Sequence, residues 1–432
     1  MLRKERAGQA PPLFLGYLAL QALVVVGLVT PRYPDSETYM HLSLTGGDLR
    51  LPTVPLLYRV LPSDSLRVAG QVLLAACAWW VLAMTAGRLI HNRRIRIALI
   101  GILLTLGLVQ PIVSWNSVML SESASISLTV LVIAAWIRYS GDRRWGTAGA
   151  IIAATAFWTF ARQPHVIFGV GIAAIACIAA VREKAAPRVA AGLAAALVVI
   201  SVAGFLELTN NTTLSKGALL YIVQGRIVTH PDRAQWFVDH GMPNPRFDSS
   251  EPFRAAPLNP AFTRWIDERG ESTYVKFVLT HPGYTLLGPL PYLSGEKASL
   301  AHPNTAIEPP LQPDPTPSIL SPTVNYGRLR QVVPSVVDGF LFDQGSVGVL
   351  LLLACAGVAF AAYGRRGRSW DTRLLVPGIV GLSAVPQAYV VWLSGGEATH
   401  ELDRLSIVTA VSVRVGLWIF LAVALDRFAE RD

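Results

Sequence analysis

The sequence has little charge. Only 15% of its 432 residues are Asp, Glu, Lys or Arg, while 52% are hydrophobic and mean hydropathy is +0.44. That balance excludes an ordinary soluble domain and points to helices in lipid. Cysteine is scarce as well. Cys77, Cys177 and Cys355 all fall in apolar runs, so no disulfide framework is implied. There is no Gly-rich phosphate loop, no internal repeat and no pair of histidines with the HxxxH spacing of a helical metal site. No basic patch interleaved with aromatics stands outside the apolar runs, so nucleic acid is not an expected partner despite a net charge of +9.

What is present is a series of apolar segments. A spanning helix needs about 20 mostly apolar residues. Ten segments meet this: 13–30, 66–87, 97–114, 119–137, 145–161, 165–181, 189–206, 345–363, 374–393 and 405–425. The expected fold is therefore an all-α polytopic membrane protein. An N-terminal bundle covers 1–206, a long loop region 207–344, and C-terminal helices 345–432. The first run is too long and its "PRYPDS" flank too poor for a cleaved signal, so it reads as an anchor. "MLRKER", "RLIHNRRIR", "RYSGDRR", "REKAAPR", "GRRGRSWDTR" and "DRFAERD" all fall on one side of a ten-span chain. By the positive-inside rule that side is the cytoplasm, with both termini, in the plasma membrane.

On the opposite side most loops are short. The exceptions are 31–65 and 207–344, the latter too long to be a mere connection. In the first, Pro34 and Asp35 precede "SETYMHLSL", a helix start closed by "TGGD". In the second, 215–245 reads as two short helices broken at "THPD" and "HGMP". The stretch 259–293 reads as an amphipathic helix with Phe262, Trp265 and Ile266 on one side, then Tyr274, Phe277 and Val278 beyond Gly270. Residues 301–336 form a Pro-rich strap.

Polar residues gather on this outer side. Asp35 and Glu37 stand beside the first span, where the bland alternative is a helix cap and a solvated neighbour. Glu122 lies just inside the fourth run, and a carboxylate there must face the bundle or water. Arg162 and His165 flank a Pro turn in "FARQPHV"; Arg suits an anionic group such as phosphate, or snorkels to lipid head groups. His400, Glu401, Asp403 and Arg404 crowd the mouth of the last span, and Arg414 lies near its middle, where it requires an internal anionic partner. Seven of the eight histidines (41, 165, 230, 240, 281, 302 and 400) map outside, and His91 inside.

This layout resembles the GT-C superfamily of polyprenyl-phosphate-sugar-dependent membrane glycosyltransferases. "YPDSETY" is similar to that family's acidic motif after the first span, "WNSVMLSES" to its second acidic position, and "YVKFVLTHPGYTLL" to its amphipathic segment. The resemblance covers the whole chain in layout. Two departures stand out: Ser36 separates Asp35 from Glu37, so there is no double acid, and there is no WWD-type signature. The Ala- and Arg-rich composition and "GRIVTHPDRAQWFVDHGMP" resemble actinobacterial chains, which implies work on cell-envelope glycans.

The resemblance implies sugar transfer from a polyprenyl-phosphate donor to a glycan or lipid acceptor on the extracytoplasmic face. Asp35 would be the base of an inverting reaction, with Glu122 orienting the acceptor or helping to hold a metal and Glu37 a further catalytic candidate. Arg162, His165, Arg404, Arg226 and Lys276 are candidates for the donor phosphate. A divalent metal (Mg, Mn or Ca) held by Asp35 and Glu122 is an open expectation. The alternatives are a lipid-linked-glycan transporter or flippase, which needs a polar path through the bilayer, and a non-catalytic envelope-assembly protein.

Overall fold

The structure is a computed structural model and describes residues 10–25, 34–42, 50–210, 216–243 apart from 218 and 221, 260–289, 332–342, 378, 380, 383–394 and 399–429. Among these residues every regular element is a helix. Five helices are long and apolar enough to cross a membrane, or six if one bent pair counts as a single span. The predicted span at 345–363 lies outside the described residues, and that at 374–393 is described chiefly as Ala384–Ser394.

In chain order the bundle comprises α1 (Ala10–Val25), α2 (Thr53–Val60), α3 (Asp64–Gly87), α4 (Arg93–Leu106), α5 (Gln110–Val113), α6 (Glu122–Gly141), α7 (Trp145–Thr159), α8 (Gln163–Arg182) and α9 (Pro187–Asn210). The starts follow ordinary capping chemistry. The Ser63 hydroxyl accepts from Leu66 N at α3, and the Asn92 side chain accepts from Arg94 N and Ile95 N at α4. Pro164 occupies the first turn of α8, where its missing N–H is not needed.

One span departs from the sequence reading. The run 97–114 is not continuous: α4 stops at Leu106, and the chain resumes at Gln110–Ser117 bent by 50°. Gly107 occupies the break because of a close approach. A methyl there would meet the Tyr17 hydroxyl and the Trp79 ring, 2.6 Å away at its nearest atom. "SWNS", a short outer loop by the span boundaries at 97–114 and 119–137, is a 3₁₀ turn (Ser114–Ser117) buried in the bundle.

Backbone without helical partners is tolerated at membrane depth only where other groups satisfy it. Here side chains do so. Gln21 Nε2 donates to Gly107 O (2.8 Å), Gln71 Nε2 to Asn116 O (3.2 Å) and Val118 O (3.1 Å), and Tyr58 OH to Leu120 O (2.8 Å). Asn116 is fixed in turn, donating to Gln21 Oε1 and accepting from the Ser123 hydroxyl.

The first outer loop forms a 3₁₀ turn over Pro34–Tyr39, shorter than the predicted helix, and α2, which was not predicted. The long loop follows its expected breaks. A π-helical turn (Val223–Ile227) ends before His230, and α10 (Pro231–Asp239) ends at Gly241, whose φ of +94° suits glycine. Then α11 (Pro260–Trp265) runs through a π-helical turn (Ile266–Gly270) into α12 (Glu271–Thr280). Gly270 therefore lies within a continuous helical segment and does not break it. A third π-helical turn follows at Gly283–Leu287. Phe262, Trp265, Ile266 and Phe277 are buried as expected. With Phe237, Tyr284 and Trp392 they form an aromatic core separate from that of the bundle. Of the Pro-rich strap, only the last residues are described; they enter α13 (Ser335–Phe342).

The C-terminal helices are α14 (Ala384–Ser394) and α15 (Thr399–Ala429). Two contacts group loops that the sequence places on one side. The buried Asp426 carboxylate at the end of α15 accepts from His91 N and Asn92 N (2.7–3.1 Å). Arg143 pairs with Glu183 at 2.5 Å.

Candidate functional site

The predicted polar residues fall into three groups. The first is assembled at the start of α6. Glu122 is the first residue of that helix, where the aligned peptide dipoles favour a carboxylate. It is 0% exposed, and its Oε1 accepts from Arg162 Nη2 at 3.3 Å. Arg162 is also buried and stands immediately before α8. A buried ion pair of this kind is held by its geometry; removing one partner costs about 3–5 kcal/mol.

His165 completes the corner. Its ring stacks on Trp158 with centroids 4.4 Å apart, and its Nδ1 lies 2.8 Å from Trp158 O. A carbonyl only accepts, so Nδ1 carries the proton and Nε2 of the neutral ring is left as an acceptor. Trp158 is anchored by its indole N–H on the Thr129 hydroxyl (2.7 Å), which donates to Ser125 O.

The first outer loop is joined to this corner. Tyr39 OH donates to the Ser121 hydroxyl at 3.0 Å, which places the turn Pro34–Tyr39 against the residue preceding Glu122. The backbone of Asp35 is in this turn; its side chain lies outside the described ones. Glu37 points outward, 61% exposed, with His41 Nε2 at 3.8 Å. This fits a solvated neighbour better than a catalytic acid. Tyr58, which also reaches this region, is fully buried. Burial first, then the neighbouring Tyr39 and Glu122 charges, push its ionisation well above that of an ordinary phenol.

The second group is the aromatic core of the long loop. Arg226 is buried there, its guanidinium 4.2 Å from the Trp392 ring centroid, and its carbonyl accepts from Arg233 Nη1 (2.8 Å). Lys276 lies on the exposed side of α12. None of the described contacts brings either cation to the Glu122–Arg162 pair.

The third group lies on α15. His400, Glu401, Asp403 and Arg404 are helical in backbone, and their side chains are outside the described ones. Arg414 is buried, and its described contacts are with backbone carbonyls and a ring. Its Nε donates to Phe342 O at 2.8 Å, Nη2 to the same oxygen and Nη1 to Ala410 O at 3.0 Å, with the Phe342 ring 4.1 Å below it. Phe342 is the last described residue of α13, so Arg414 ties α13 to α15 through a backbone carbonyl. At the other end of this junction, Asp338 accepts from Gln110 N at 3.1 Å.

Among the described residues no three of His, Cys, Asp and Glu gather closely enough to hold a metal ion. Of the two residues expected to hold a metal, Glu122 pairs through Oε1 with Arg162, and the side chain of Asp35 lies outside the described ones. Sequence reasoning missed Gln21, Tyr39, Tyr58, Gln71 and Asn116, which hold the segment leading to Glu122. Buried glutamines within apolar runs are the signal that marks them, since such amides require partners in lipid. The chain matches no protein-family model and no curated protein.

Proposed function

We propose that the protein is a ten-span integral membrane glycosyltransferase of GT-C type, moving a sugar from a polyprenyl-phosphate donor to a cell-envelope glycan or lipid acceptor. The site lies on the extracytoplasmic face, and both termini are cytoplasmic. One observation carries the reading: the Tyr39–Ser121 hydrogen bond joins the first-loop turn containing Asp35 to the buried Glu122–Arg162 pair. Asp35 and Arg162, 127 positions apart in the chain, are thus the acid and the cation of the proposed site at one end of an apolar bundle, where a lipid-borne substrate arrives laterally.

Displacement at the anomeric carbon needs a base for the acceptor hydroxyl and positive charge for the leaving phosphate. Asp35 is the base. As the acceptor oxygen bonds to C1, its proton passes to the Asp35 carboxylate and the C1–O bond to phosphate breaks on the opposite face, giving inversion. Arg162 stabilises the departing phosphate. Glu122 acts through Arg162 as a positioning residue, being too buried to meet the acceptor. No step is routed through a metal.

The test is transfer from labelled polyprenyl-phosphate sugars to envelope-glycan acceptors by purified protein in lipid, with and without EDTA. Wild type should transfer, and a folded Asp35→Asn should fall to background. Equal transfer by both removes Asp35 from the base role. No transfer by wild type, across donors that a control transferase uses, turns the reading to a transporter or an assembly protein.

A further inference from the structure

The long loop carries an apolar face that the proposed site does not use. From Pro260 to Leu287 the chain is helical almost throughout, and its exposed side changes character along its length. The first half presents charge: Arg264, Asp267, Glu268, Arg269 and Glu271 are all exposed. The second half presents Val275, Leu279, Leu286 and Leu287, which are 50–77% exposed. Val275 and Leu279 are four residues apart on α12 and so share one face. Lys276 stands at the change-over, also exposed. Contiguous exposed apolar side chains mark a surface that meets something other than water.

Two hydrogen bonds set this segment against α14, in register with the change. Tyr274 OH donates to Leu393 O at 3.0 Å, and Tyr389 OH donates to Leu286 O at 2.7 Å. Leu393 and Tyr389 are four residues apart, about 6 Å along a helix axis. α14 packs against α8 and α15, two of the helices long and apolar enough to cross a membrane. It ends at Ser394, where the polar stretch "SGGEATHELDR" begins. The segment therefore starts beside the end of α14 and descends along it while its exposed side turns from charged to apolar. The Tyr284 and Trp392 rings meet between the two hydrogen bonds, centroids 4.7 Å apart. Tyr and Trp are enriched at the level where a bilayer meets water.

We infer that Val275–Leu287 lies in the outer leaflet of the bilayer and seats the long loop on the membrane. The partner is ordinary phospholipid. Acyl chains cover Val275, Leu279, Leu286 and Leu287, and the Lys276 ammonium stands among the head groups. A segment of this kind is held by its buried apolar area and by attraction to anionic lipid. A lysine at its margin lays its stem along apolar surface while its charge stays wet. Lys276, expected from the sequence to meet the donor phosphate, is thereby assigned to the surrounding lipid. The inference rests on the ten-span reading above, in which α14 ends at the extracytoplasmic surface; it does not require sugar transfer.

The test measures depth, with the full chain in vesicles of phosphatidylcholine and phosphatidylglycerol. Cys77, Cys177 and Cys355 are replaced by Ala, and one cysteine is introduced to carry an environment-sensitive fluorophore: Glu268→Cys, Leu279→Cys, Leu286→Cys or, on α14, Val390→Cys. Quenching is read with iodide in the water and with spin-labelled phospholipid in the bilayer. Labels at Leu279 and Leu286 should be quenched by the lipid, with iodide quenching several-fold weaker than at Glu268. The label at Glu268 should show the reverse. An unchanged thermal midpoint establishes that each labelled chain is folded.

Iodide quenching at Leu279 and Leu286 equal to that at Glu268 overturns the inference. So does shielding from both quenchers, because protein, from this chain or a second copy, then covers the face. Val390 separates the two readings. If iodide reaches it as readily as Glu268, α14 is not in the membrane, and the ten-span reading fails and takes the inference with it. If Val390 is shielded from iodide while Leu279 and Leu286 are not, the inference fails alone.

Discussion

Two buried arginines divide the bundle into regions that solve the same problem differently. Around Arg162 the countercharge is a carboxylate, Glu122, at the start of a helix. Around Arg414 the described partners are the carbonyls of Phe342 and Ala410, with an aromatic ring beneath. The first arrangement sets a guanidinium against a carboxylate, and it lies beside the first outer loop. The second fastens α13, at the root of the long loop, to α15. The two sites are distinguished by where they stand, one beside the first outer loop and the other between α13 and α15.

The largest expected effect is on the first region. Arg162→Leu leaves Glu122 buried without its guanidinium and should cost about 3–5 kcal/mol of stability, together with all transfer. The double variant Glu122→Leu, Arg162→Leu should recover most of that stability while transfer stays at background. Thermal unfolding in detergent beside the sugar-transfer assay separates the two readouts. If the double variant stays as unstable as the single, the pair is not the main contribution at this corner.

The second region should respond in stability alone. Arg414→Met removes hydrogen bonds from a charged group to Phe342 O and should cost about 1.5–3 kcal/mol, with activity per folded molecule near wild type. A specific loss of kcat in well-folded Arg414→Met would erase the distinction drawn here.

A smaller effect, though one on the same buried segment, is expected at the helix break. Gly107→Ala forces a methyl against Tyr17 and Trp79 and should destabilise by about 1–3 kcal/mol. Because the break precedes Glu122, transfer should fall by more than the folded fraction, which a comparison at equal folded protein would show.

The smallest effect is in pH dependence. The phenol of Tyr58 ionises less readily in the folded chain than in the unfolded one. Its contribution to stability is full below the ordinary phenol range and is lost as pH rises through and above it. Tyr58→Phe should flatten the alkaline fall in thermal midpoint while lowering stability at neutral pH through the lost bond to Leu120 O.

Much of this architecture is legible in the sequence, because apolar length is a strong signal. The runs at 66–87, 119–137, 165–181 and 189–206 match α3, α6, α8 and α9 within a few residues. Glu122 stood out because a carboxylate in an apolar run must be paired. Its pairing with Arg162 was not legible, since the two are forty positions apart and their meeting depends on how α6 and α8 pack. The break at Gly107 was hidden because its surroundings are as apolar as any span; only the bulk of Tyr17 and Trp79 explains it. The contacts of Arg414 with α13 were not legible, because hydropathy registers a charge and not the backbone carbonyls that meet it.

The contacts around the unwound segment also carry an order in time. Gln21, Tyr39, Tyr58 and Gln71 all precede residues 107–121 in the chain, so a ribosome delivers these partners before the segment that requires them. Its backbone never has to wait in lipid for a later helix. Arg414 and Asp426 are made last, and each fastens a part already in place, α13 and the start of α4. The same contacts that hold the finished bundle thus form a sequence of assembly, with the candidate site completed early and the two locks closed at the end.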